Sequence, residues 1–164
     1  MEQPESEISS AEFFRFAQLS QKHGLEYMVI GGQALNFHKI LRQTIDMDIW
    51  LKPATQNYQK LAKILIEMDY EKESVSQLST FDPDTVHSFS ISGPIDFLTH
   101  VHRNFDFDRC FTRSKIYTIE QIQIPFIGLE DLREIKVLAG RNQDLRDVIL
   151  IDEFLSQSSS SDPT

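Results

Sequence analysis

Cysteine is nearly absent: Cys110 stands alone among 164 residues. A lone thiol excludes an internal disulfide and a zinc site built on cysteines, and it fits a reducing cytoplasm. Long apolar runs are missing as well. No stretch approaches the ~20 apolar residues of a membrane-spanning helix, so no membrane partner is expected. The start, Met1 to Ser10, is acidic and polar, unlike a secretory signal. Positive charge is in the minority, with 16 Lys and Arg against 25 Asp and Glu and a formal net charge of −9. A field of that sign does not draw in a long phosphate backbone, which argues against a DNA- or RNA-coating role. It leaves room for a nucleotide held through a metal, or for local contact with an RNA. The glycine signatures G-x-G-x-x-G and the P-loop are also missing, which disfavours Rossmann and P-loop nucleotide sites.

What is present suits one domain of ordinary size: 40% hydrophobic and 25% charged residues. Residues 1–8 read as a flexible leader, 9–156 as the domain, and 157–164 as a Ser-rich disordered tail. Ser9 and Glu12 resemble a capping box before a Phe-rich helix that Gly24 ends. Leu25 to Ile30 reads as a strand, Gln33 to Leu41 as a helix, and Ile45 to Leu51 as a second, alternating strand. Thr55 to Tyr70 is an amphipathic helix, and Glu71 to Asp84 a polar connector. Thr85 to Ile91 and Ile95 to Thr99 read as strands around a Ser92-Gly93-Pro94 turn. Asn104 to Arg113 is ambiguous. Two β-like runs follow, Ile116 to Ile119 and Ile122 to Ile127. Helices over Gly128 to Ala139 and Asp144 to Leu155, split at Gly140, close the chain. This order predicts an α/β (α+β) fold: a mixed sheet with helices mainly on one side and a C-terminal helix pair.

Three features carry chemistry. Asp46 and Asp48 stand two apart on a predicted strand, so both face one way, roughly 6.6 Å apart at their Cα atoms. Ile45, Met47, Ile49 and Leu51 face the other way, into a core. Carboxylates so placed repel unless a cation lies between them, and Mg²⁺ accepts one or two carboxylates together with phosphates. By itself an Asp-x-Asp is also ordinary for a strand with a solvated face. The Gly31-Gly32 pair between strand and helix lets backbone approach a ligand closely. The helix start at Gln33 offers free N–H groups to phosphate. Asp96 sits among apolar residues on a third strand, where an acid is costly without a partner. Trp50 shares the predicted face of Asp46 and Asp48 and is a candidate to stack on a base or to cover the site's edge. His100 and His102 alternate with Asp96, and a structural role suits them better than a metal-ligand role.

Together, the stretch from Tyr27 to Leu51 (YMVIGGQALNFHKILRQTIDMDIWL) and the later Asp96 resemble the nucleotidyltransferase superfamily, whose fold is that of the DNA polymerase beta catalytic domain. The form Gly-Gly-x-Ala followed by Arg-x-Thr-x-Asp-x-Asp looks most like the AbiEii-type and minimal nucleotidyltransferases of toxin–antitoxin systems. The resemblance implies that Gly31 and Gly32, with Gln33, meet the triphosphate of an NTP. It implies that Asp46, Asp48 and Asp96 hold Mg²⁺, with Asp96 helping to activate an attacking hydroxyl. Arg42 and Thr44 match the Arg-x-Thr before the acids. Lys136 resembles a basic residue facing the phosphates, and Arg141 is a further candidate for leaving-group charge. One departure is Gly32, where the family usually has serine. The implied activity moves a nucleoside monophosphate to a hydroxyl of a protein, tRNA or small molecule, with an antitoxin as a possible partner. The other class kept open is a nucleotide-binding or regulatory module of the same fold without turnover.

Overall fold

A computed structural model describes residues 11–42, 44, 46–91 and 95–160 of the chain, with the backbone alone at 159 and 160. The expected leader 1–8 and the Ser92-Gly93-Pro94 turn lie outside these residues. Helix α1 (Ala11–His23) leads into β1 (Tyr27–Ile30), the short helix α2 (Gly31–Phe37) and β2 (Met47–Leu51). Then come α3 (Thr55–Glu67), α4 (Lys72–Ser76), a 3₁₀ turn over Gln77–Thr80, and the strands β3 (Ser88–Ile91) and β4 (Ile95–Leu98). Helix α5 (Phe107–Thr112), strands β5 (Lys115–Ile119) and β6 (Ile122–Phe126), and helices α6 (Leu129–Ala139) and α7 (Asn142–Ser160) complete it.

The six strands form one mixed sheet in the order β3-β4-β2-β1-β6-β5. Strands β2 and β4 run parallel, as do β1 and β6, and the remaining neighbours are antiparallel. Apart from half-buried Asp48, the central strands β1 and β2 are apolar and buried, as strands covered on both faces must be. Alternation divides the two faces. Phe16 of α1 meets Tyr27 edge-on at 5.2 Å and Phe97 at 5.6 Å between ring centroids, so α1, with α3 against it, covers the face opposite Asp96. Edge-to-face rings at these separations add to the area they bury.

Several elements differ from the sequence expectation. Strand β2 begins at Met47, so Asp46 precedes it. Among the described residues, β1 pairs with β2 as far as Ile30, opposite Asp48, and β4 as far as Ile95, opposite Met47. The polar connector after α3 contains α4 and the 3₁₀ turn, pinned by buried Val75 and Leu78. The ambiguous segment holds α5, where Asp106 caps the start by accepting from the Arg109 N–H at 3.0 Å while Phe107 and Cys110 fill the core. Helix α7 runs through Ser160, past Leu155 and into the stretch read as a disordered tail. Gly140 adopts φ +66 and ends α6 as a left-handed C-cap, its N–H donating to the Lys136 carbonyl. The reversal folds α7 back along α6. No helix among the described residues is long and apolar enough to cross a membrane.

Candidate active site

The site forms where the sheet register sets residues of four strands in one row. Asp48 of β2 lies opposite Asp96 of the parallel strand β4. Ser90 of β3 pairs with Asp96 from the outer side, and Ile30 of β1 pairs with Asp48 from the inner side. Paired residues on neighbouring strands share a face at ~4.8 Å, so the two carboxylates are neighbours by construction. They lie on the floor of a cavity of about 550 Å³ whose lining includes Gly31, Ser90, Lys136 and Arg141. Burial raises the Asp48 carboxyl above the usual carboxylate range; the charges of Asp96 and Asp46 push it further, and Lys136 and Arg42 oppose them. Asp96 accepts a short hydrogen bond from the Ser90 hydroxyl.

The glycine pair is required by packing. Gly31 adopts φ +71, and a Cβ there would lie 2.2 Å from Asp48 Oδ2. Only glycine allows both the backbone turn and the close approach of the carboxylate. Gly31→Ala therefore displaces Asp48 and strains the turn. The expected cost is about 1–3 kcal/mol, read by thermal unfolding, together with weaker stabilisation by Mg²⁺. At Gly32 a Cβ would meet the Thr44 side chain at 2.8 Å and the Arg42 guanidinium at 2.9 Å. Thus Thr44 and Arg42 pack over Gly32, and neither Gly32 nor Thr44 lines the cavity. Gln33, expected at an open helix start, is instead fully buried and reaches the Thr44 carbonyl at 3.4 Å. It braces the segment before β2. The helix itself begins at Gly31, two residues earlier than expected.

Asp46 is exposed and stands off the strand, yet its charge still raises Asp48. Lys136, by contrast, is buried. Its ammonium donates to Asp147 Oδ2 at 2.7 Å and lies 3.8 Å from Asp144 Oδ1. Arg42 reaches Asp147 Oδ1 at 3.4 Å, and Arg141 donates to Asp144 Oδ2 at 2.6 Å. Asp144 and Asp147 were not singled out from the sequence, and each is almost wholly buried. Their spacing of three on a helix, which puts both on one face, is the signal that could have found them. Burial raises the Asp144 carboxyl, but hydrogen bonds and charge from Arg141, aided by Lys136, outweigh it and hold the group below its ordinary range. Two acids thus fix three cations beside the Asp48–Asp96 pair.

Other candidates lie elsewhere. Trp50 faces the same way as Asp48 but is buried under α5, meeting Phe107 edge-on at 5.4 Å and donating to the Thr99 carbonyl at 3.1 Å. It is core and cannot stack on a base. Strand β4 ends at Leu98, so His100 and His102 do not continue the Asp96 face. His100 pairs with the Thr99 hydroxyl at 2.9 Å, and His102 accepts from the Asn104 N–H at 3.2 Å.

For a divalent cation, the donor set is two neighbouring carboxylates, with Asp48 partly desolvated and mutually repelled by Asp96. Among the described residues no three carboxylate, imidazole or thiol groups converge into a ready-made cage. Mg²⁺ needs only one or two carboxylates when phosphates complete its shell, so Asp48 and Asp96 fit it.

No family model matches this chain, and no curated protein matches it. Among solved structures, it is similar to the crystal structure of an antigenic nucleotidyltransferase-like protein from Paracoccidioides brasiliensis, with a TM-score of 0.44 and 15% identity over 87% of this chain and 76% of that one.

Proposed function

We propose that this chain is a Mg²⁺-dependent nucleotidyltransferase that moves a nucleoside monophosphate from an NTP to a hydroxyl. The observation that carries this is the register pairing of Asp48 with Asp96 on the floor of a cavity bordered by Lys136 and Arg141. Acids on one side and fixed cations on the other match a triphosphate bound along the cavity. Its α-phosphate would lie by the acids and its outer phosphates by Lys136 and Arg141. Asp48 and Asp96 would hold the metal, which when bound supplies Lewis-acid stabilisation to the transferring phosphate. The Gly31 turn lets Asp48 approach without a side chain between. Lys136 and Arg141, held in place by Asp144 and Asp147, offset charge that builds on departing pyrophosphate. Asp96 takes the proton of the attacking hydroxyl. The acceptor is a protein, a tRNA or a small molecule. The Gly-Gly-x-Ala and Arg-x-Thr-x-Asp-x-Asp pattern favours a toxin–antitoxin component of AbiEii type, with an antitoxin as partner and a cytoplasmic location.

A nucleotide-binding module without turnover is the second reading. It is favoured by one observation, that Asp46 is exposed and precedes β2. The test uses purified protein, each α-labelled NTP and host lysate. Label is expected to enter an acceptor with Mg²⁺, and to fail to enter with EDTA or in Asp96→Asn. Retained NTP binding without transfer in the wild type would establish the binding module instead.

A further inference from the structure

Ser90 has no part in the function proposed above, yet it stands at the centre of the site. It is exposed on the edge strand β3, pairs with Asp96 in register, and donates its hydroxyl hydrogen to Asp96 Oδ1. A hydroxyl already bonded to the carboxylate that would serve as base is placed as a nucleophile is placed. Ser90 also borders two cavities. On one side is the acid-floored cavity. On the other is a space of about 400 Å³ lined by Leu65, Tyr70, Val75, Leu78 and Phe81. That second space also takes in Glu71, Ser74 and Gln77 and lies toward α3, on the face opposite Asp96, so it is separate from the site. The Ser90 hydroxyl, bonded to Asp96, opens to the catalytic cavity, which Ser90 and Asp96 both line.

We propose that Ser90 is a self-modification site, nucleotidylated by the chain's own active centre. The inference rests on the transferase activity proposed above. In the step, Ser90 Oγ forms a bond to the α-phosphorus of a bound NTP. The bond from that phosphorus to the bridging oxygen of the β-phosphate breaks, and pyrophosphate leaves with the electron pair. The hydroxyl proton passes to Asp96 along the existing hydrogen bond. No oxidant or further reactant is needed. The product places a phosphodiester beside Asp96, where its negative charge opposes binding of a second triphosphate, so modification would shut the site.

The experiment incubates full-length protein with Mg²⁺ and each NTP, then records intact mass and maps the adduct by tandem mass spectrometry. Label transfer to lysate acceptors and the Mg²⁺-dependent shift in melting temperature are followed in parallel. The expected result is a gain of one nucleoside monophosphate less water, located on Ser90. The adduct should be lost in Ser90→Ala and Asp96→Asn and restored at least in part in Ser90→Thr. Ser90→Ala should keep the Mg²⁺-dependent shift, which shows that the acid pair is intact. Transfer to external acceptors with no mass gain on Ser90 would overturn self-modification while leaving the transferase standing. So would an adduct mapped to another residue. Loss of external transfer in Ser90→Ala without any adduct in the wild type would make Ser90 a positioning residue for Asp96. Absence of both adduct and external transfer would overturn the transferase with it.

Discussion

Asp48→Asn is expected to disable the proposed nucleotide transfer and to make the protein harder to melt. Both effects follow from the pairing of Asp48 with Asp96 across parallel strands. Removing one of two carboxylates that would hold the metal takes away charge stabilisation used in the transition state. A loss on the order of 10²–10³-fold or more is expected in single-turnover transfer. Stability moves the other way. Burial, then Asp96, then Asp46 raise the Asp48 carboxyl above its unfolded value, so its ionised form is disfavoured in the fold. This penalty is absent below the unfolded carboxylate range and is complete once the pH has risen through the folded value. A neutral, nearly isosteric Asn removes it. The melting temperature at pH 7 should rise by roughly 2–4 °C, and the gain should vanish in acid, below the unfolded carboxylate value. Mg²⁺ should reverse the comparison. At 100 times its Kd a ligand of the folded state adds about 2.7 kcal/mol, which the wild type gains and Asp48→Asn loses. Thermal scans at both pH values, with and without Mg²⁺, check every part. A variant that melts lower at neutral pH would show that the acids are held by other partners.

Asp147→Leu is expected to cost more stability than any exposed change in the chain. Asp147 has no exposed side-chain surface and holds Lys136 at 2.7 Å, Gln143 at 3.0 Å and Arg42 at 3.4 Å. Removing it leaves the Lys136 ammonium buried with only the longer approach to Asp144. Breaking one side of a buried pair costs about 3–5 kcal/mol, because the remaining charge is uncompensated. In a domain of this size that corresponds to a fall of roughly 10 °C. The double variant Lys136→Met/Asp147→Leu should recover much of the loss, since two apolar groups can replace a buried pair at little cost. Its stability can return while the proposed transfer does not, because the charge proposed to offset the phosphates is gone. Urea denaturation of both variants, set beside transfer rates, separates the structural role from the electrostatic one. Failure of the double variant to recover would assign the loss to packing around α7.

Much of the frame was legible because it is local. The alternation of Asp48 against Ile49 and Leu51 marked the strand and its faces. Gly140, followed by a second amphipathic run, marked the helix pair, and the structure makes it a left-handed cap. The Gly31-Gly32 pair signalled close approach, though what approaches is the protein's own Asp48, Thr44 and Arg42. Where local pattern misled, a distant element intervened. Trp50 reads as open to the site because it follows Asp48 by two, yet α5, from beyond β4, covers it. Asp46 reads as part of the strand, yet among the described residues no neighbouring strand pairs with it.

The sequence by itself determined the strands, the longer helices and the acids Asp48 and Asp96 on their strands, because periodicity and backbone preference act over a few residues. Only the tertiary structure decided that Asp96 sits beside Asp48, that Ser90 reaches Asp96, and that Asp144 and Asp147 bury Lys136. Those pairings depend on strand order and on α7 folding back over α6. Both are set by long-range burial of apolar surface, which no short window of sequence records.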